Sequence, residues 1–184
     1  MGNPVSPAPV KLFVGMLSAN VMLLQEAEKM LVERFGPVEL RSDLLPFDYT
    51  DYYAPSMGPD LLRRLIGFSR PVAAPSLVEI KLLTNEVEEQ LARRPNMAAP
   101  RPVNLDPGYL TPAKVVLATT KDYAHRIYLN RGIYAEVTLH YHRGRYESWP
   151  WTYPDYRTEP FQQFFLHLRR QLVQSLKEDA AQWK

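Results

Sequence analysis

Between Val103 and Arg157 the chain gathers more acids, bases and amphipathic aromatics than a buried core needs. His125 is the residue best suited to move a proton, because imidazole titrates near neutrality. It follows Lys121-Asp122 by one short turn and adjoins Arg126. Asp106 and Glu136, predicted on neighbouring strands, would orient its ring, and these three form the candidate catalytic group. A structural histidine closing a strand end explains the same spacing equally well. Lys121 and Arg126 supply positive charge for an anionic ligand. Asn104, Tyr109, Tyr134, Trp151, Tyr153 and Asp155 are the candidates for orienting such a ligand and walling its pocket. Polar groups near buried strands cost free energy unless they are paired, so the cluster is expected to be a site or a buried network.

Other groups carry weaker signals. His140 and His142 share a strand face, and with Glu136 they could ligate a divalent metal. A solvent-facing sheet surface is the favoured reading, and no metal is assigned. Asp48 and Asp51 offer oxygen ligands for Mg²⁺, although turn chemistry is the commoner reason for acids at a strand end. Lys81, Asn85 and Glu88 share one helix face, which is usually just solvated. Trp149-Pro150-Trp151-Thr152-Tyr153-Pro154-Asp155-Tyr156-Arg157 is either a stacking wall for a base or sugar or a lid packed on the sheet, with packing favoured.

Several chemistries are excluded. A P-loop needs glycines that let backbone N–H groups wrap phosphates, followed by Lys and Ser/Thr. Only eight glycines occur, and none begins that pattern or Gly-x-Gly-x-x-Gly. GTP hydrolysis of the Walker type is therefore not expected. There is no Gly-x-Ser-x-Gly elbow for a serine hydrolase. Cysteine is absent, which removes disulfides, thiolate metal sites and a cysteine nucleophile, and suits a reducing cytoplasm. A net charge of +2 gives no electrostatic case for nucleic acid. No motif names a cofactor.

The elements that must position these residues can be read from periodicity. The 184-residue length suits one domain. Residues 1–9 are expected to be a disordered leader without signal-peptide character, and 10–184 a single domain. No apolar run approaches the roughly 20 residues of a membrane-spanning helix. Val10–Leu17 is apolar on both faces, as in a doubly covered strand. Asn20 can cap a helix that Gly36-Pro37 ends. Residues 38–49 and 61–70 read as extended, the second with a helix from Pro59 as the alternative. Ser76–Glu79 fits a capping box for the next helix. Asp106-Pro107-Gly108 suits a type II turn, and Thr111-Pro112 a short helical turn. Ile133, Ala135, Val137, Leu139 and Tyr141 are expected to share one strand face. Arg143-Gly144-Arg145 is a hairpin turn, and a final helix runs from about Glu159 to Ala180. The order suggests an α+β fold: one mixed or antiparallel sheet, about three helices, a ferredoxin-like first half, and a C-terminal hairpin and helix.

These segments resemble an uncharacterised bacterial family, domain of unknown function 4416. The resemblance rests on Lys11-Leu12-Phe13-Val14-Gly15-Met16, Leu45-Pro46-Phe47-Asp48-Tyr49-Thr50-Asp51-Tyr52-Tyr53 and Ile80-Lys81-Leu82-Leu83-Thr84-Asn85-Glu86. It continues through Asn104-Leu105-Asp106-Pro107-Gly108-Tyr109-Leu110, His125-Arg126-Ile127-Tyr128-Leu129 and Trp151-Thr152-Tyr153-Pro154-Asp155-Tyr156. It implies a stand-alone domain with no assigned chemistry. Some relatives carry a GTP-binding label, which the missing P-loop argues against.

The expectation is a polar pocket for an anionic, nucleotide-like small molecule, with acid–base or metal-assisted hydrolysis as the chemistry such a pocket can support. Whether the protein is an enzyme stays open at this stage. The alternative is a non-enzymatic module binding RNA or a protein partner through Trp149–Arg157.

Overall fold

A computed structural model describes residues 2–182. One nine-stranded antiparallel sheet carries helices on both faces, so the chain is a single α+β domain. Gly2–Pro9 is exposed and has no regular secondary structure.

Strand β1 (Val10–Ser18) is buried along its whole length, as its two-sided apolar pattern requires. Helix α1 (Val21–Phe35) starts where Asn20 Oδ1 accepts the Met22 and Leu23 N–H groups at 2.9 and 3.4 Å. It stops at Gly36, which takes φ +90° and donates its N–H to Val32. Strands β2 (Val38–Arg41), β3 (Leu45–Pro46) and β4 (Leu62–Val72) follow, with a one-turn helix α2 (Ala54–Met57) between the last two. The segment from Pro59 is thus strand, not helix. Helix α3 (Leu77–Ala92), β5 (Asn104–Leu110), β6 (Lys114–Thr119), β7 (Ile127–Asn130), β8 (Ile133–His142), β9 (Arg145–Ser148) and helix α4 (Glu159–Gln182) complete the chain.

The sheet order is β2-β4-β1-β5-β6-β8-β7, with β3 also on β4 and β9 also on β8. Connections β1-α1-β2 and β4-α3-β5 each step over one strand. Leu12, Val14 and Met16 of β1 pack with α1 and α3. Phe13 packs on the opposite face with Phe161, Phe165, Leu168 and Leu172 of α4. Leu176, one turn farther along that helix, packs half-buried against the same cluster.

Four local expectations fail, each because tertiary structure overrides a local preference. Asp106-Pro107-Gly108 is strand, not turn, and pairs with β1 throughout. Its partner β6 begins to pair only at Gly108, so Pro107 has no N–H to lose there. Gly108 is bare because a Cβ would stand 2.4 Å from the Val116 carbonyl oxygen and 2.5 Å from the Phe13 ring. Thr111-Pro112 forms no helical turn: Thr111 Oγ1 accepts the Ala113 and Lys114 N–H groups and closes a hairpin. Ser76 makes no capping box: it sits in a 3₁₀ turn and its hydroxyl donates back to Ala73. Finally, β8 does not keep one apolar face. Val115 pairs with Leu139 but Val116 with Val137, a bulge around Thr138. Ile133, Ala135 and Val137 therefore pack on the α3 side, and Leu139 and Tyr141 on the α4 side.

Candidate functional site

The strand pairing opens the sheet at one end. Residues 104–107 of β5 pair with β1 but not with β6. The unpaired side of Leu105 is completed by α3 instead: Glu88 Oε1 accepts its N–H at 2.7 Å and Lys81 Nζ donates to its carbonyl at 2.8 Å. Over this gap, on the α4 side of the sheet, lies a cavity of about 560 Å³. Loops around Phe47–Tyr53, Thr119–Arg126 and Trp151–Tyr156 wall it.

The cavity brings together most of the expected residues. Asn104, Asp106, Lys121, His125, Arg126, Glu136, Trp151, Tyr153 and Asp155 all line it. Tyr109 and Tyr134 do not. Tyr109 alternates onto the α3 face and packs near Leu77 and Val116, while Tyr134 pairs edge-on with Tyr128 at the sheet margin.

Glu136 is the hub of one half. It is buried on β8, where Arg126 Nε donates to Oε2 at 2.8 Å and His125 Nε2 stands 3.3 Å from the same oxygen. Thr138 Oγ1 donates to Oε1 at 3.2 Å. Arg126 also donates to the Lys121 carbonyl at 3.1 Å and the Tyr153 hydroxyl at 3.0 Å. Of the two expected acids only Glu136 reaches His125; the other, Asp106, belongs to another network. The His125 ring lies parallel to Trp151, with centroids 5.1 Å apart. Trp151 lies parallel in turn to Trp149 at 5.3 Å and donates Nε1–H to the Val137 carbonyl at 3.1 Å.

Asp106 is the hub of the other half. Arg63 Nη1 donates to its Oδ2 at 3.0 Å and Asn104 Nδ2 to the same oxygen at 2.7 Å. Burial pushes the Asp106 carboxyl up, but Arg63, Lys81 and the two hydrogen bonds outweigh it and hold it below the usual Asp range. Asp155, 3.4 Å from Arg63 Nε, goes the other way: burial raises its carboxyl and Arg63 only partly offsets this. At the mouth, Lys121 Nζ donates to the Tyr52 hydroxyl at 2.7 Å and lies 4.1 Å from that ring's centroid. This contact lowers the Tyr52 phenol below its usual value.

Arg63, Lys81, Arg101, Tyr53 and Tyr156 also line the cavity. None is among the residues that the sequence assigns to the site, although Lys81 and Tyr156 lie in segments weighed as weaker candidates. Arg63-Arg64 carried a usable signal. Adjacent strand residues point to opposite faces, so in a strand covered on both sides one arginine had to lie inside. Lys81 and Glu88 were read as a solvated face, whereas both turn inward to Leu105.

The weaker site candidates resolve differently. His140 Nε2 and His142 Nδ1 each lie 3.3 Å from Glu147, on β9, and not from Glu136, because the bulge separates the two regions of β8. Among the described residues no group of three or more His, Cys, Asp and Glu side chains is arranged to hold a metal ion. Asp48 and Asp51 are exposed, and Thr50 Oγ1 caps the turn beside them by accepting the Tyr52 N–H.

No curated protein matches the chain. A family model does match it, over residues 8–172, a span that includes every residue of the cavity. The chain therefore belongs to the family described as Domain of unknown function (DUF4416).

Proposed function

We propose that the cavity binds an anionic, nucleotide-like small molecule, and that His125 is the proton carrier for any reaction on it. The observation that carries this reading is an uncompensated excess of positive charge. Arg63, Lys81, Arg101, Lys121 and Arg126 line the cavity against Asp106, Glu136 and Asp155. Glu88, behind the wall, takes up Arg101 at 2.9 Å. Among the described residues no carboxylate lies within 4 Å of Lys81 or Lys121. Five cationic side chains against four carboxylates, with Lys121 at the mouth paired to none of them, favour an anion there. The volume of about 560 Å³ is of the size that small ligands occupy.

In this reading Lys121, His125 and Arg126 meet the anion. Glu136 fixes the His125 ring, and Trp151, Tyr153 and Asn104 form the walls. A charged group held in the mouth would replace Tyr52 as the partner of Lys121. We place the protein in the reducing cytoplasm because it has no cysteine. Among the described residues no helix is long and apolar enough to cross a membrane.

The reading as an RNA- or protein-binding module is weaker. Trp151 spends its stacking on His125 and Trp149, and Arg157 is bonded to the carbonyls of Thr152, Trp149 and Pro150. The segment is thus folded onto itself. Native mass spectrometry of the purified protein tests the pocket. A bound small anion that is lost on denaturation, and depleted in Lys121→Glu, is expected. No adduct, combined with no thermal stabilisation by millimolar pyrophosphate, would overturn the proposal.

A further inference from the structure

The closed end of the cavity carries polar atoms that the anion does not engage. Arg63 enters from β4, and Asp155 and Tyr156 from the 3₁₀ turn Pro154–Arg157. All three line the cavity and are more than nine-tenths buried. Yet Asp155 Oδ1 and Tyr156 Oη have no hydrogen-bond partner, and Arg63 Nε makes no hydrogen bond beyond its long 3.4 Å ion-pair contact with Asp155 Oδ2. Buried polar side-chain atoms are almost always satisfied, so two orphans beside a poorly satisfied guanidinium in one wall are unusual. The backbone also makes room for them. A Cβ on Gly15 would stand 2.7 Å from Arg63 Nη2 and 3.2 Å from the Tyr156 hydroxyl. The bare glycine lets this arginine and this phenol lie on β1.

The chemistry of the three atoms narrows what can meet them. Arg63 Nε–H only donates, an ionised Asp155 oxygen only accepts, and the phenol does both. A phosphate or carboxylate at this end would accept from Arg63 but face Asp155 and Asp106 as like charges. An ammonium would suit the acids but stand against Arg63. A neutral hydroxyl donates and accepts at once, and two neighbouring hydroxyls can serve all three atoms. The cationic mouth and the neutral-polar closed end therefore select opposite ends of one molecule.

We infer that the closed end is a hydroxyl-recognition subsite and that the ligand is a phosphorylated polyol, of the sugar-phosphate class. Its phosphate lies toward Lys121 and Arg126, and its hydroxyls lie toward Arg63, Asp155 and Tyr156. This inference rests on the anion reading above and adds the class of the uncharged part.

The test is calorimetric titration of the full chain with glycerol 3-phosphate, ribose 5-phosphate, glucose 6-phosphate and, as the hydroxyl-free control, ethyl phosphate. At least one polyol phosphate is expected to bind tenfold or more tightly than ethyl phosphate. Tyr156→Phe removes only the oxygen, and Asp155→Asn keeps the shape. Each is expected to erase most of that preference, read as the ratio of polyol phosphate to ethyl phosphate affinity within the same variant, with circular dichroism confirming the fold. Asp155→Asn serves if Tyr156→Phe does not fold. Equal affinity for all four compounds would overturn the hydroxyl subsite and leave the anion reading standing, the orphan atoms then being hydrated. A preference that survives both substitutions would also overturn it. Binding of none of the four would remove the anion reading itself.

Discussion

Lys81 and Glu88, seven residues apart on one face of α3, hold the carbonyl and the N–H of the same residue, Leu105. They stand in for the strand that β5 lacks on that side, where β6 has diverged. A buried backbone pair left open would be costly. Two charged side chains supply its hydrogen bonds and so let the sheet part without unfolding. The parting is what creates the cavity.

Removing one of these supports should therefore cost stability out of proportion to its apolar content. Glu88 also pairs with Arg101, and burial raises its carboxyl above the usual Glu range despite Lys81 and Arg101 nearby. Glu88→Ala is expected to destabilise by about 1.5–3 kcal/mol, the range for a hydrogen bond to a charged group. Glu88→Gln should cost less because it keeps the acceptor. Urea unfolding gives both numbers, and an Ala variant as stable as wild type would mean that Leu105 finds other partners.

The Arg126–Glu136 pair makes a second stability prediction. Both side chains are almost wholly shielded from solvent, but the arginine faces the cavity. Glu136→Ala leaves that guanidinium without its carboxylate and frees the His125 ring. The expected loss lies at the lower end of the about 3–5 kcal/mol seen when a buried pair is broken. A loss below about 1 kcal/mol would show that the pair is surface-like.

Trp151 is 36% exposed, so its truncation should be milder than that of a fully buried indole. What Trp151→Ala loses is the stack with His125 and Trp149 and the bond to Val137. Aromatic pairs and single hydrogen bonds are each worth about 1 kcal/mol, so a total of about 1–3 kcal/mol is expected from chemical denaturation. A loss near zero would contradict the stacked arrangement.

Much of this scaffold was legible in the sequence, and the failures have a common cause. The two-sided apolar run of β1, the Asn20 cap and the Arg143-Gly144 hairpin are set by nearby residues. At that hairpin both central residues have positive φ, as a two-residue turn requires. The Pro107-Gly108 strand, the Ser76 turn and the bulge at Thr138 are set by distant ones: the Phe13 ring, the Ala73 carbonyl and the register with β6. The mouth of the site followed from its dense run of acids and bases. At its closed end Asp155 was legible, but Arg63 was not, and Lys81 reads as a solvated residue, because both lie on elements whose apolar periodicity hid them.

The two acids on Arg63 predict a pH dependence with a definite sign. Asp155 has a folded pKa raised above the ordinary 3.8, chiefly by burial. Its stabilising contribution is therefore complete below about pH 3.8 and is lost as pH rises through the folded value. Asp106 is shifted down, so its contribution is present above the ordinary Asp value and is lost only under stronger acid. Asp155→Asn mimics the protonated acid at all pH. Its stability relative to wild type should grow as pH rises from about 4 to 7. A flat or falling difference in urea titrations would mean that Asp155 is not destabilised by its surroundings.

The measurement closest to the central claim is a calorimetric titration of wild type and Lys121→Glu with pyrophosphate at low and physiological salt. The Lys121 side chain is exposed at the mouth and its one hydrogen bond is to the Tyr52 hydroxyl, so the variant should fold normally. Saturable one-site binding is expected for wild type. The charge-reversed protein should bind at least tenfold more weakly, with the difference shrinking as salt screens the mouth. Identical binding by the two proteins, or none by either, would contradict an anion pocket at this cavity.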